Sequence, residues 1–235
     1  MKTLKVLGFL LTYPSAQTVE VLGECREILA AEKWLDGETL VALDGLMEWM
    51  EVTDLLDLQE DYVALFDRTP SLSLHLFEHI HGDSKDRGQA MVDLSDVYED
   101  AGLIIDTKEL PDYLPLFLEY LSVIPLDDAR ENLAEVINIT GILSKRLKNR
   151  ESLYACVLDA LAVAAACQPD IEAVEEALKK SSGAAFTFEE MDEEWEEHNA
   201  FANTQQTTGQ DMDGGCPIAQ EMLDRMNLPT SKEEA

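Results

Sequence analysis

The sequence predicts an all-α protein: a single helical-bundle domain over residues 1–180, followed by an acidic, partly disordered tail over 181–235 that carries a short terminal helix. Three observations predict it. Apolar residues recur at three- and four-residue spacing through nearly every segment up to residue 180. The periodicity leaves no segment assigned to a strand, since the one β-branched patch, Leu103–Thr107, is too short to make a sheet without a partner hairpin. Beyond Ser181 the composition changes: residues 181–235 hold 13 acids against Arg225 and Lys232.

The first element is an apolar helix interrupted at Tyr13-Pro14. Its run Val6–Leu11 is shorter than the about 7–15 residues of a secretory h-region, and no small-residue cleavage site follows, which points to a cytoplasmic location. Ser15 is placed to cap a helix with Leu22, Cys25 and Leu29 on one face; Leu40, Leu43, Met47 and Met50 mark the next. A third carries Leu55, Leu58, Tyr62, Leu65 and Phe66 and stops before Pro70, because proline disfavours helical geometry in the residue ahead of it. Ser73–His81 reads as a short helix stopped by Gly82, after which Asp83 or Ser84 caps a helix with Met91, Leu94, Val97 or Tyr98, and Ala101 inward.

Asp112 is positioned as an N-cap with Pro115 in the first turn of a helix lined by Leu114, Phe117, Leu118 and Leu121. Asp128 and Glu131 have capping-box spacing for one longer helix ending in Lys145, Arg146, Lys148 and Arg150, cations that suit the negative end of a helix dipole. Leu153–Cys167 is apolar nearly all round, as for a central helix, and Asp170–Lys180 is amphipathic with Ile171, Val174 and Leu178 inward.

Composition excludes several function classes. With 17 basic and 48 acidic residues the net charge is −31, which disfavours nucleic acid and anionic lipid as partners. No apolar run reaches the about 20 residues of a membrane span, so no membrane insertion is expected. The cysteines, Cys25, Cys156, Cys167 and Cys216, form no CxxC pair, and the first three read as buried free thiols. Seven of the nine residues 189–197 are acidic, a pattern of solvated interaction tails.

Polar chemistry concentrates between Tyr62 and Met91, where His75, His79 and His81 lie with Glu78, Arg68, Lys85 and Arg87. His75-Leu76-Phe77-Glu78-His79 fits the HxxEH pattern of inverted zinc peptidases, in which two histidines on adjacent helical turns hold a metal and the glutamate activates water. That pattern is short, the helix between Pro70 and Gly82 has only about two turns, and no third ligand is evident. A zinc-dependent peptidase using His75, Glu78 and His79 is therefore the alternative reading.

Longer blocks point elsewhere. Tyr62-Val63-Ala64-Leu65-Phe66-Asp67-Arg68, Ser71-Leu72-Ser73-Leu74, Phe77-Glu78-His79-Ile80-His81-Gly82, Arg87-Gly88, Ala90-Met91-Val92 and Glu109-Leu110-Pro111-Asp112-Tyr113-Leu114-Pro115 occur in this order. Together they resemble the delta-subunit assembly chaperones of respiratory nitrate reductases, within the redox enzyme maturation chaperones. The resemblance implies an all-helical cytoplasmic chaperone of that type, not an enzyme and not part of the final reductase. It implies binding of the catalytic subunit at its N-terminal twin-arginine-like peptide and a second region, and contact with cofactor-delivery proteins. The client would be held competent for insertion of the molybdenum guanine dinucleotide cofactor and kept from premature membrane docking, with no cofactor or metal bound stably by the chaperone itself.

A peptide groove with apolar walls and a carboxylate rim suits an amphipathic basic helix. The expected walls are Tyr62, Phe66, Leu76, Phe77, Met91, Tyr113 and Phe117, with Glu78, Asp112 and Glu119 for basic residues. Arg68, His79, His81 and Arg87 are expected to frame the loop between helices by hydrogen bonds and ion pairs.

Overall fold

The computed structural model describes residues 1–81, 86–105 and 108–182. Gly82, Asp83, Ser84, Cys216, the tail from 183 onward and its terminal helix lie outside the described residues. Twelve α-helices and no strand occur among the described residues. They are α1 (Lys2–Leu10), α2 (Ala16–Glu20), α3 (Leu22–Glu32), α4 (Gly37–Val52), α5 (Leu55–Tyr62), α6 (Glu78–His81), α7 (Asp86–Asp100), α8 (Leu114–Val123), α9 (Leu126–Glu135), α10 (Ile137–Lys148), α11 (Ala155–Ala165) and α12 (Ile171–Ser182). A π-helical turn, Val63–Asp67, and a 3₁₀ turn, Pro70–Leu72, join α5 to the loop before α6.

Two apolar helices organise the core. Helix α1 packs on α3, α8 and α11, and α11 on α1, α4, α9 and α10. Both are buried on most sides, α1 through Leu4, Val6, Leu7 and Leu10, α11 through Val157, Leu158 and Leu161 with alanines between. Gly8 lets α1 approach α8: an added Cβ would stand 3.0 Å from the Pro115 carbonyl oxygen. Helix α1 has no side-chain cap of its own. Instead Glu32, at the end of α3, accepts from the N–H groups of Lys2 and Thr3 at 2.9 and 2.8 Å and from the Thr3 hydroxyl. Burial acts to raise the Glu32 carboxyl, but these three donors bring it below its ordinary value.

Several helix boundaries differ from the sequence expectation. Ser15 caps α2 in a reciprocal capping box with Thr18, yet the chain breaks at Val21 before α3. The expected long helix from Asp128 is two: α9 starts after Pro125, and Val136, at φ −97° and ψ 2°, separates it from α10. Asp112 does not cap α8; the N-cap is Tyr113, without a side-chain bond. Val97 and Tyr98 both face inward on α7, and Gly102 ends it at φ 79°. Ile171 is 73% exposed rather than inward. Cys25 is buried, Cys156 and Cys167 are half-buried, and all three are free.

No helix of the described residues is long and apolar enough to cross a membrane.

Candidate functional site: an aromatic cleft framed by a buried carboxylate

Ser73–His81 is not one helix as expected: the chain pairs as extended backbone only around His75, Leu76 and Phe77 form a turn, and Glu78–His81 is the helical part. Polar and apolar residues alternate in the sequence from Ser71 to Leu76; Leu72, Leu74 and Leu76 are buried, and so is Ser73. That period of two was the signal for an extended segment, and it was hidden inside a predominantly helical reading. The segment pairs with 112–114: His75 and Tyr113 form an antiparallel bridge, Leu76 N–H donates to Asp112 O at 2.9 Å, and Leu114 N–H donates to Leu74 O at 2.8 Å.

Asp112 is the centre of this frame and is wholly buried. Its carboxylate accepts from Phe77 N–H at 3.1 Å, meets His75 Nδ1 at 3.0 Å, and lies 3.8 Å from Arg87, which also donates to Glu78 at 3.1 Å. The hydrogen bond to Asp112 raises the His75 pKa above its ordinary value. His79 behaves oppositely: its Nε2 lies 2.8 Å from Ser73 O, and burial holds its pKa down. Arg146, on α10, donates to Ser71 O at 2.6 Å and pins the start of the segment.

In front of this frame lies a cleft of about 640 Å³. Tyr13, Tyr62, Phe66 and Tyr113 supply aromatic walls, and Asp67, Glu78 and Glu109 supply carboxylates. The π turn sets Phe66 against Tyr62, with ring centres 4.9 Å apart, and is closed by Arg68 N–H donating to Val63 O at 2.9 Å. Tyr62 donates to Leu11 O at 2.9 Å and its oxygen lies 3.1 Å from that of Tyr113. Burial pushes the Tyr113 phenol up to about 12 and that of Tyr62 further, so both remain neutral donors at ordinary pH. A second hollow of about 360 Å³ continues from the first, sharing Tyr13, Glu109 and Tyr113 and adding Phe9 and Leu116; Lys5 and Glu119 pair at 2.6 Å on its rim.

The structure thus sorts the expected groove residues. Tyr62, Phe66, Glu78 and Tyr113 line the cleft, and Glu119 lines its continuation. Leu76, Phe77, Phe117 and Asp112 do not: the first three are core residues and Asp112 is the internal tie, each 1% exposed or less. Met91 is half-buried on α7 and lines neither hollow. His79 and Arg87 bond within the loop frame as described, Arg68 is exposed and uses its backbone, and His81 ends α6. Phe9 and Tyr13 were missed because they come from α1 and the turn after it, distant in sequence from the rest of the groove; Glu109, in the same block as Asp112 and Tyr113, carried no local sign that it faces the cleft.

The peptidase geometry fails at His75. It lies in the extended segment rather than one helical turn before His79, and the two imidazoles are engaged by Asp112 and Ser73 O respectively. Among the described residues no group of three or more His, Cys, Asp or Glu is arranged to hold a metal ion.

Comparison with known proteins decides the family. The family model described as nitrate reductase delta subunit matches residues 33–149. The nitrate reductase molybdenum cofactor assembly chaperone NarJ of Escherichia coli strain K12 is 42% identical over 197 residues, covering 84% of this chain and 83% of that protein. The chain belongs to the nitrate reductase delta subunit family. A probable chaperone of the same kind from that strain, NarW, is 46% identical over 170 residues, 68% of this chain and 67% of its own. A probable NarJ of Bacillus subtilis strain 168 is 32% identical over 105 residues, 45% and 57% of the two chains. The Escherichia coli relatives are named as assembly chaperones, NarW as a probable one, and not as catalysts, which removes the peptidase alternative.

Proposed function

We propose that this delta subunit is the dedicated cytoplasmic chaperone of a respiratory nitrate reductase catalytic subunit. It binds that subunit's N-terminal, twin-arginine-like peptide in the aromatic cleft and a second region elsewhere. In this reading it holds the client open for insertion of the molybdenum guanine dinucleotide cofactor, working with cofactor-delivery proteins. It delays docking on the membrane partner and leaves before the enzyme is complete.

The observation that carries the proposal is the cleft and its continuation, joined through Tyr13, Glu109 and Tyr113. Aromatic walls take the apolar side of an amphipathic helix, and Asp67, Glu78 and Glu109 face its cations. The net charge of −31 speeds capture of a basic peptide. The test is calorimetric titration of the purified chain with the client's N-terminal peptide, with and without chelator. A one-to-one complex unaffected by chelator is expected. Tyr113→Ala should weaken it by about tenfold or more, in the range of an aromatic anchor. Unchanged affinity in Tyr113→Ala and in Glu78→Gln with Glu109→Gln would remove the peptide from the cleft.

A further inference from the structure

Behind Phe66 lies a further aromatic residue that does not line the cleft. Tyr154, at the start of α11, is 1% exposed, and its ring stands edge-on to those of Phe66, Tyr62 and Trp49, with centres 5.3, 6.2 and 6.1 Å away. Among the described residues, its hydroxyl is the one buried side-chain nitrogen or oxygen without a hydrogen-bond partner. A buried hydroxyl left unpaired destabilises the fold, so phenylalanine would serve the packing better at this position. Burial, and then the charge of Asp61 on α5, hold the phenol above its ordinary value, and the hydroxyl keeps its proton.

Phe66, which stands between Tyr154 and the cleft, is positioned by an uncommon stretch of backbone. It lies in the π turn Val63–Asp67, where Arg68 N–H reaches back five residues to Val63 O. An α-helical Arg68 N–H would use Ala64 O, and that oxygen takes the Thr69 hydroxyl at 2.9 Å instead. The Thr69 side chain therefore favours the π register. Drawing the turn into the α register rotates the side chains at its end by up to about 100°, the step of one residue.

We infer that Tyr154 is a further binding residue of the cleft: release of the π turn swings Phe66 aside, and the phenol hydroxyl then accepts from a guanidinium of the bound peptide. The surroundings suit that group. Tyr62 and Tyr154 flank the place of the Phe66 ring, with centres 4.9 and 5.3 Å from it, and a planar, weakly hydrated cation stacks well on aromatic rings. Asp61, whose charge already acts on this hydroxyl, supplies a counter-charge. An apolar side chain would leave the hydroxyl unpaired, and a lysine ammonium loses more hydration on entering. The inference rests on the client reading of the cleft and adds to it the residue that selects arginine.

Calorimetric titration of the full chain with the client's N-terminal peptide, beside thermal unfolding of the free chain, tests it. Tyr154→Phe should bind about tenfold more weakly, in the range of a hydrogen bond to a charged group, while its thermal midpoint stays level or rises. Replacing the peptide's arginines by lysine should cost the native chain about tenfold in affinity and Tyr154→Phe less. Thr69→Val removes the hydroxyl from Ala64 O at nearly constant shape and should tighten binding by about two- to fivefold, because the open register is reached more readily. A lower thermal midpoint in Tyr154→Phe would overturn the inference, since the hydroxyl would then have a partner in the free chain. So would unchanged affinity in Tyr154→Phe beside weakened binding in Tyr113→Ala, which keeps the peptide in the cleft without Tyr154. Weaker binding in Thr69→Val would make the π register the binding one, with the same consequence. Unchanged affinity in both Tyr154→Phe and Tyr113→Ala would remove the client reading and this inference with it.

Discussion

The frame behind the aromatic cleft and the α10–α11 layer solve the same problem in different ways. Both bury polar groups. In the α10–α11 layer the solutions are near in sequence: Thr140 donates to Ile137 O three residues back, and Ser144 donates to Asp159 of the next helix at 2.6 Å. In the frame, Asp112 satisfies groups 35 and 37 residues away, Phe77 N–H and His75. The layer is held by apolar area, with alanines of α11 allowing close approach. The frame hangs a short paired stretch around His75 and the turn after it on one carboxylate. A local failure should therefore be graded in the layer and abrupt in the frame.

Asp112→Ala is the strongest way to break that contrast. It leaves Phe77 N–H and His75 without their acceptor, while Arg87 keeps Glu78, and should cost about 1–3 kcal/mol, as for buried polar groups left unsatisfied. Urea unfolding would measure it, and peptide affinity should fall together with stability. A cost below about 1 kcal/mol would mean the segment is held by its leucines alone.

Gly8→Ala probes area rather than polar pairing. The new Cβ would meet the Pro115 carbonyl oxygen at 3.0 Å and the Leu118 Cβ at 3.2 Å, forcing α1 from α8. The expected loss is about 1–3 kcal/mol, read as a lower denaturation midpoint. Because Pro115 and Gly8 also line the continuation of the cleft, the same variant should weaken peptide binding.

Tyr62→Phe keeps the ring and removes the hydroxyl that joins Leu11 O to Tyr113. A cost of about 1 kcal/mol is expected, one hydrogen bond's net worth. The thermal midpoint should fall by a few degrees while far-UV circular dichroism is unchanged.

The two histidines give the smallest and most diagnostic effect. The Asp112 hydrogen bond raises the His75 pKa in the fold, so its contribution is complete below the ordinary imidazole value of about 6.5 and is lost as pH rises through the raised pKa. Burial lowers the His79 pKa, so below about 6.5 the unfolded chain takes a proton that the folded chain refuses, and stability falls. Stability measured by urea at pH 5.5 and 8, both about one unit or more from 6.5, should show opposite changes in two variants. His79→Gln should lessen the acid-side loss, and His75→Gln should deepen it.

The helical stripes were legible because each helix in the layer states its own burial: Leu43, Met47 and Met50 on α4, and Leu143 and Leu147 on α10, repeat at helical spacing and are buried. The blocks around Phe77-Glu78-His79 and Glu109–Pro115 also carried the family. The cleft was legible only in part. Tyr62, Phe66, Glu78 and Tyr113 were found, while Leu76, Phe77 and Phe117 could not be told from core by type, since an aromatic at helical spacing serves either end equally well. The alternation Ser71–Leu76 was present but short enough to be absorbed into a helix.

From the sequence alone came the class of the fold, the family and the acidic character, because periodicity, motif order and charge are properties of the chain itself. Only the tertiary structure decided that Asp112 faces inward, that His75 is bound to it rather than aligned with His79, and that Tyr13 and Glu109 complete the cleft. The physical reason is that a buried carboxylate must find its donors wherever the fold brings them. No local pattern records a partner more than thirty residues away.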